Sequence, residues 1–189
     1  MKTKLAIFDI DGTLIDTCRA NYEAYTKAII KATGRSDTDY ETFCRECFGK
    51  NYKEFLPNIM KVPLDKLESV HNYKAEYYEE CLKSYSRVNT GLLDIINGIK
   101  DSYYLAVVST SSKNNAKRAL DMFLKDISFD LIVCCEDVKN LKPDTEGLEL
   151  AISFFGVKKE NVIYFDDNIP AVKSAKAFGI STYLTTINN

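Results

Sequence analysis

The sequence feature that most limits the possible folds is a short apolar run that ends in two carboxylates. Leu5 to Phe8 carries no polar side chain, which is typical of a strand buried on both faces of a parallel sheet. Asp9 and Asp11 follow directly, and Gly12 allows a tight turn after them. Ligands of open α/β sheets bind outside the carboxyl ends of the strands, so this strand places two acids where such folds carry out chemistry. A solvated strand end capped by acids is the simpler alternative.

Three later segments also place polar side chains at a predicted strand end or helix start. They are Tyr103–Thr110, Lys142–Glu146 and Asn161–Asp167. The first ends in Ser109, with Thr110 as an alternative one residue further on. The second opens with Lys142, and the third ends in the acidic pair Asp166 and Asp167. Taken singly, each has an ordinary explanation, such as a strand-end hydroxyl, a solvated lysine or an acidic helix cap.

Together with Asp9-Ile10-Asp11-Gly12-Thr13, these segments resemble the four motifs of the haloacid dehalogenase-like hydrolases, in the family's order. The resemblance covers essentially the whole chain. It points to the phosphatase branch that includes phosphoglycolate phosphatases and beta-phosphoglucomutases. Many members carry a further Asp where this chain has Ala171. Members with an adjacent acidic pair often lack that Asp, so the departure concerns only which acid does most of the metal binding.

The resemblance implies phosphoryl transfer through Asp9. A carboxylate is already ionised at neutral pH and can attack phosphorus, so Asp9 is the predicted nucleophile. Asp11 would protonate the leaving oxygen and then help to activate water. Ser109, with amides of the following helix, would hold phosphate oxygens, and Lys142 would neutralise developing charge. The predicted substrate-binding residues are Ser109, Thr110, Lys142 and Thr13.

The acids of this constellation also predict a metal ion. Four carboxylates gathered around a phosphate would repel one another strongly without a cation. A hard divalent ion with oxygen ligands, Mg²⁺ by default, removes this repulsion. The predicted metal-binding residues are Asp9, Asp11, Asp166 and Asp167, and the resemblance implies that Asp11 contributes its backbone carbonyl. Such a site requires the strands of the first and fourth motifs to be neighbours.

Three other functions stay open. A sugar phosphomutase of the same superfamily is the closest, but related mutases use a cap histidine shortly after the first motif. This chain has Asn21 at the matching position, and Asn cannot titrate near neutrality. His71 lies far along the chain from it. A dehalogenase would share the fold and the nucleophile but lack the acid at Asp11. A non-catalytic binding protein would have lost at least one motif.

The rest of the sequence predicts an α/β fold with an inserted helical block. Helical periodicity without a convincing strand runs from about residue 16 to residue 88, and strands and helices alternate after it. We therefore predict a Rossmann-like parallel sheet core from residues 1–15 and 89–189, with an all-helical domain from residues 16–88. The resemblance implies a cap that closes over the active site. Its basic residues Arg45, Lys50 and Lys53 are substrate-contact candidates, although a charged helix face is usually only solvated.

Composition limits which partners the protein is expected to bind and in which cellular compartment it is expected. A net charge of -2 gives no electrostatic footprint for nucleic acid, and no apolar run approaches the length of a membrane span. Met1–Lys4 leaves no room for a signal peptide before the first strand. Six cysteines without a paired metal-binding pattern are expected to be reduced, and the Cys44–Cys47 spacing is a weak zinc alternative. We expect a cytoplasmic enzyme that acts on a small phosphorylated metabolite.

Overall fold

The structure, a computed structural model, describes residues 2–187. The chain divides into two compact units, one made of Met1–Asp16 and Val88–Asn189 and the other of Thr17–Arg87. These boundaries lie one residue from the predicted ones. That the second unit serves as a cap stays a prediction.

Strands and helices alternate through the first unit. In chain order, the described strands are β1 (Lys4–Phe8), β2 (Ile15–Asp16), β3 (Arg87–Val88), β4 (Tyr103–Val108), β5 (Leu131–Val133), β6 (Val162–Asp166) and β7 (Ser181–Leu184). The α-helices are α1 (Cys18–Thr33), α2 (Tyr40–Glu46), α3 (Tyr52–Asn58), α4 (Leu67–Tyr85), α5 (Thr90–Ile99), α6 (Lys113–Phe123), α7 (Glu146–Phe155) and α8 (Ile169–Phe178). The predicted α/β fold class is confirmed.

The main sheet has five parallel strands in the order β5-β4-β1-β6-β7. Strand β1 lies in the middle, and its residue Ile7 pairs with Ala106 of β4 and Tyr164 of β6. The strands of the first and fourth motifs are therefore neighbours, as the metal-site prediction requires. Because all five strands run the same way, their carboxyl ends meet at one edge of the sheet.

Helices α7 and α8 cover one face of the sheet. Leu5 and Ile7 of β1 are fully buried and belong to a core cluster with Leu148 and Ala151 of α7 and Ala175 of α8. Complete burial of a side chain the size of Leu or Ile stabilises a fold by about 1.5–3 kcal/mol. This packing fixes β1, and with it the position of the acids that follow.

The second unit has its own aromatic core. Tyr25 of α1, Phe43 of α2 and Phe55 of α3 are buried together, and the ring centroids of Tyr25 and Phe55 lie 5.1 Å apart at 88°. Edge-to-face pairs of this kind add about 0.5–1.5 kcal/mol beyond the burial of their area. Helix α1 ends at Gly34, whose φ of 88° is the left-handed conformation that glycine adopts freely. The unit therefore has the elements of an independent hydrophobic core.

Two short strands differ from the sequence prediction, which contains no strand between residues 16 and 88. Strands β2 and β3 form a separate two-stranded sheet. Next to β3, the backbone N–H of Asn89 donates to the Leu14 carbonyl at 2.9 Å, and its side-chain amide donates to the Thr13 carbonyl at 3.0 Å. Strands of two residues carry too little alternation to be recognised from a sequence.

Two further features are the apolarity of the helices and the state of the cysteine thiols. Within residues 2–187, no helix combines the length and the apolarity that crossing a membrane requires. All six cysteines are free. Burial raises the pKa of Cys134 to about 12 and that of Cys47 to about 11, so both thiols stay protonated at neutral pH.

Two glycines of the first unit provide a matched test of this packing. A Cβ at Gly147 of α7 would lie 2.8 Å from a Val108 methyl, whereas a Cβ at Gly98 of α5 would have no neighbour within 4 Å. We expect Gly147→Ala to lower the free energy of unfolding by about 1–3 kcal/mol through overpacking. Gly98→Ala should raise it by about 0.5–1 kcal/mol through helix propensity. Urea unfolding of both variants checks this, and equal effects would contradict the packing of α7 on β4.

Candidate active site

The alternation of side chains along β1 and β6 puts two carboxylates on the same face of the sheet. Asp9 continues the face of Leu5 and Ile7, and Asp166 continues the face of Tyr164. The backbone N–H of Asp9 donates to the Phe165 carbonyl at 3.0 Å, so the chain stays paired just beyond β1. Both carboxylates are buried at the carboxyl edge of the sheet.

A single ammonium group joins these two acids. Lys142 Nζ lies 2.5 Å from Asp9 Oδ1 and 2.8 Å from Asp166 Oδ2. The Lys142 side chain is only 11% exposed, and it comes from the loop that precedes α7. Ion pairs of this geometry in a buried setting are much less screened than surface pairs. The structure thus brings the first, third and fourth motifs together.

Asp167 points to the other side of the site and is held by the first motif. The Thr13 hydroxyl donates to Asp167 Oδ1 at 3.0 Å and accepts the Asp167 backbone N–H at 2.9 Å. A Cβ at Gly12, which has a φ of 90°, would lie 2.4 Å from Asp167 Oδ2. Only glycine therefore lets this carboxylate approach the turn after β1 so closely.

The contacts of Thr13 favour a role other than the predicted substrate binding. Its side chain is fully buried, and its hydroxyl is engaged with Asp167 on both the donor and the acceptor side. A hydroxyl bound in this way is not presented to a substrate, because its one proton is already donated. We therefore assign Thr13 to the orientation of Asp167.

The second motif reaches Asp11 through a serine that the sequence analysis did not select. The Ser111 hydroxyl donates to Asp11 Oδ2 at 2.6 Å, and the Ser111 backbone N–H donates to Ser109 Oγ at 3.1 Å. Ser109 itself is buried and pairs through its N–H with the Val133 carbonyl at 2.9 Å. Ser111 thus links the predicted phosphate-binding hydroxyl to the predicted acid-base group.

The electrostatics of the cluster show an excess of negative charge. Burial raises the pKa of Asp9 well above its ordinary value, while the Lys142 ammonium lowers it and Asp166 raises it further. Burial lowers the pKa of Lys142, but Asp9, Tyr164 and Asp166 together outweigh this and hold the pKa well above its usual range. Burial and the neighbouring Asp166 raise the pKa of Asp167 to about 6. One ammonium is therefore too little positive charge for these carboxylates.

The donor set fits a divalent cation. Asp9, Asp166 and Asp167 each offer a carboxylate oxygen, and these oxygens all lie within 4.8 Å of one another. Hard cations such as Mg²⁺ prefer carboxylate oxygens, and a positive ion there would offset the charge that raises the pKa of Asp167. That Asp11 contributes its backbone carbonyl to such an ion stays a prediction.

The contacts of the other predicted site residues say less about their roles. Thr110 is half-buried between Ser109 and Ser111, so it stays an alternative phosphate-binding hydroxyl. Arg45 and Lys53 are exposed in the second unit, where they lie near Glu46 and Glu68, at 2.8 Å and 3.9 Å respectively. Lys50 is exposed in the same unit. Among residues 2–187, no ion pair joins these basic residues to the acidic cluster, and their role in substrate binding stays a prediction.

Sequence reasoning missed two residues of the site, Ser111 and Tyr164. The hydroxyl of Tyr164 donates to Asp166, and the whole residue is buried. The sequence contains a signal for each of these two residues. Tyr164 shares its strand face with Asp166 two residues on, and a buried tyrosine hydroxyl needs a partner. Ser111 lies two residues after Ser109 in an unbroken run of hydroxyl side chains, Ser109–Ser112.

One known protein family matches nearly the whole chain. The model of the family described as haloacid dehalogenase-like hydrolase matches residues 6–185. The chain belongs to this family. Membership confirms the predicted family and the prediction of a hydrolytic enzyme. The roles of the individual residues stay predictions.

The curated relatives of this haloacid dehalogenase-like hydrolase are phosphatases by name. The phosphorylated carbohydrates phosphatase of Thermotoga maritima is 31% identical over 178 residues, covering 92% of this chain and 81% of that protein. The pyrophosphatase PpaX of Halalkalibacterium halodurans is 26% identical over 191 residues, covering 96% and 83%. Both the hydrolase and the phosphatase class of the chain are thereby confirmed.

Solved structures of the family agree with the fold. A Thermotoga maritima protein provisionally named a beta-phosphoglucomutase is 27% identical with a TM-score of 0.75, covering 98% of this chain and 88% of its own. CbbY from Rhodobacter sphaeroides, solved in complex with phosphate, is 23% identical with a TM-score of 0.80, covering 95% and 84%. At that identity the likeness to CbbY supports the fold alone.

The Ser111–Asp11 contact generates a test of the acid-base group. We expect Ser111→Ala to lower kcat for p-nitrophenyl phosphate about tenfold, because Asp11 loses the hydrogen bond that orients its carboxylate. KM should change little. Ser112→Ala is the control, since Ser112 caps α6 through the Asn115 N–H and its loss costs stability rather than orientation of Asp11. Equal kcat values for Ser111→Ala and the parent would contradict the assignment.

Proposed function

We propose that this haloacid dehalogenase-like hydrolase removes phosphate from small phosphomonoesters with Mg²⁺, through an aspartyl-phosphate on Asp9. The observation that carries the proposal is the Lys142 ammonium 2.5 Å from the buried Asp9 carboxylate, within a cluster of three acids. The name of the 31% identical Thermotoga maritima relative, a phosphatase of phosphorylated carbohydrates, supports this substrate class. The free cysteines are typical of a reducing compartment, so we place the reaction in the cytoplasm.

The first half of the reaction forms a bond between Asp9 and phosphorus. A carboxylate oxygen of Asp9 attacks the phosphoryl group, and the ester P–O bond breaks on the opposite side. The leaving alkoxide takes a proton from the carboxyl group of Asp11. Ser111 holds the Asp11 side chain at 2.6 Å and so limits the rotation that would move this proton away.

The second half returns the enzyme to its starting state. Asp11, now ionised, accepts a proton from water as the water oxygen attacks phosphorus. The bond between phosphorus and Asp9 breaks, which releases inorganic phosphate and restores the Asp9 carboxylate. Asp11 thus donates a proton in the first half of the cycle and recovers one in the second, as hydrolysis requires.

The remaining residues manage charge on the phosphoryl oxygens. Lys142 supplies a fixed ammonium, and Ser109 and Thr110 supply hydroxyl groups near the start of α6. A Mg²⁺ ion held by Asp9, Asp167 and the Asp11 carbonyl, with Asp166 beside them, would supply further positive charge to the phosphoryl oxygens. Preorganised charges of this kind stabilise the transition state more than the ground state.

Asp9→Asn tests the nucleophile. We expect Mg²⁺-dependent hydrolysis of p-nitrophenyl phosphate by the parent and at least about a thousandfold lower kcat for the variant, because an amide is a poor nucleophile. Asp121→Asn is a matched control, since Asp121 is exposed on α6 and pairs only with Lys117 in its surroundings. Circular dichroism checks that both variants fold. Hydrolysis at the parent rate by the purified Asp9→Asn variant would contradict the mechanism.

A sugar phosphomutase is the second candidate, favoured by the 27% identical structure named provisionally as such. A mutase returns the phosphoryl group to a sugar hydroxyl and must keep water out. Asn21 stands where related mutases have a histidine, and its side-chain amide donates to the Thr17 carbonyl at 3.1 Å and to the Tyr78 hydroxyl at 3.4 Å. His71 stacks on Tyr52 at 4.0 Å, and burial lowers its pKa. We therefore favour water as the acceptor.

Product analysis separates the two candidates. With glucose 1-phosphate and a catalytic amount of glucose 1,6-bisphosphate, we expect free phosphate to accumulate faster than glucose 6-phosphate. The physical reason is that Asn21 cannot exchange protons near neutral pH, so it cannot gate the acid-base step. Asn21→His is the informative variant, because it restores a titratable group at that position. Faster accumulation of glucose 6-phosphate by the parent enzyme would overturn the hydrolase assignment.

A further inference from the structure

Tyr164 is a fully buried tyrosine that lies between Val162 and Asp166 on the inward face of β6. It lies on β6, opposite Ile7 of the central strand, in the core cluster beneath α7 and α8. A phenylalanine would fill this space equally well, so packing does not require the hydroxyl. Burying a hydroxyl is costly unless it is hydrogen-bonded. The hydroxyl of Tyr164 has such a partner in the carboxylate of Asp166.

Three donors hold the Asp166 carboxylate. Its Oδ2 accepts from both Tyr164 and Lys142 Nζ, the latter at 2.8 Å, and its Oδ1 accepts the Asn168 backbone N–H at 2.7 Å. Its side chain is only 1% exposed. Donors on both oxygens fix the plane of the carboxylate as well as its position. Asp166 is therefore a rigid acceptor for the lysine.

Lys142 depends on that acceptor for its place. Its ammonium carries three protons, and two of them point to Asp9 Oδ1 and Asp166 Oδ2. A lysine side chain has four rotatable bonds and is a poor positioner on its own. With two acceptors fixed, the direction of the third proton is fixed too. The third proton is then left for a group bound beside Asp9.

We propose that Tyr164 is a positioning residue of the active site, which fixes Asp166 and thereby aims the Lys142 ammonium at the reacting phosphoryl group. The inference rests on the proposed phosphatase function and adds a residue to it. The Tyr164 hydroxyl acts through Asp166, its hydrogen-bond partner. Its effect is on the orientation of a charge that acts in the transition state, so it should change kcat and not KM.

Tyr164→Phe is the first test, because it removes one oxygen and keeps the ring. With p-nitrophenyl phosphate we expect kcat to fall about tenfold, as for the loss of one orienting hydrogen bond, and KM to stay within about twofold. Asp166 belongs to the acidic cluster, so calorimetric Mg²⁺ affinity is measured as well. It should stay within about twofold, because the other two acids of the cluster, Asp9 and Asp167, are held by Lys142 and Thr13. Tyr104→Phe is the control, because Tyr104 pairs with Leu5 near the amino end of β4, away from the acids, and stacks on Phe155.

A double-mutant cycle shows whether the effect passes through Asp166. If it does, Tyr164→Phe should lower kcat less than about twofold in the Asp166→Asn background, because the acceptor has already lost its charge. A purely structural loosening would lower kcat by the same factor in both backgrounds. That result would overturn the proposal, as would an unchanged kcat in Tyr164→Phe alone. A tenfold loss of Mg²⁺ affinity in Tyr164→Phe would also overturn it in favour of metal positioning.

A measurement on the parent covers the case in which Tyr164→Phe does not fold. A buried hydroxyl bonded to a carboxylate should give a downfield proton resonance that exchanges slowly with water, visible in protein with isotope-labelled tyrosine. Absence of such a resonance contradicts the contact on which the proposal rests. An inert parent would instead contradict the phosphatase function, so the two failures are distinguishable. An active parent with a fully active Tyr164→Phe variant contradicts only the role of Tyr164.

Discussion

The repulsion between carboxylates at the carboxyl edge of the sheet is the constraint on which the rest of the site depends. Asp9, Asp166 and Asp167 present oxygens within 4.8 Å of one another, and the Lys142 ammonium contacts the first two. Burial makes this arrangement unfavourable unless further positive charge is supplied, which is why the pKa of Asp167 rises to about 6. An enzyme that binds a phosphate ester can use the same imbalance, because the cation that relieves it also neutralises the substrate.

The fold holds that unfavourable cluster together through its best-packed strand. β1 lies between β4 and β6, and its apolar residues are fully buried, so the acids that follow have little freedom to separate. Each acid is then held by a different neighbour. Ser111 holds Asp11, Thr13 holds Asp167, and Tyr164 with Asn168 holds Asp166. The stability of the sheet thus offsets the electrostatic cost of the site.

The groups that carry charge could be predicted from the sequence, and the groups that hold them could not. Asp9 and Lys142 follow from residue type and position at a strand end or helix start, and the long strand-helix alternation indicates the parallel sheet. Thr13 shows the limit, because only the turn after β1 decides that its hydroxyl meets Asp167 rather than a substrate. Tyr164 looks like one more core residue in an apolar run. The two-residue strands β2 and β3 are shorter than any readable period.

The position of β1 in both the chain and the sheet has a consequence for how the protein is made. β1 leaves the ribosome well before its partner β6, and Asp9 and Lys142 are 133 residues apart. Contacts so distant in sequence slow folding, because a long loop must close before they form. The nascent chain therefore carries its acids without their lysine through most of synthesis. The cluster of Asp9, Lys142 and Asp166 can form only after β6 has been synthesised and has paired with β1.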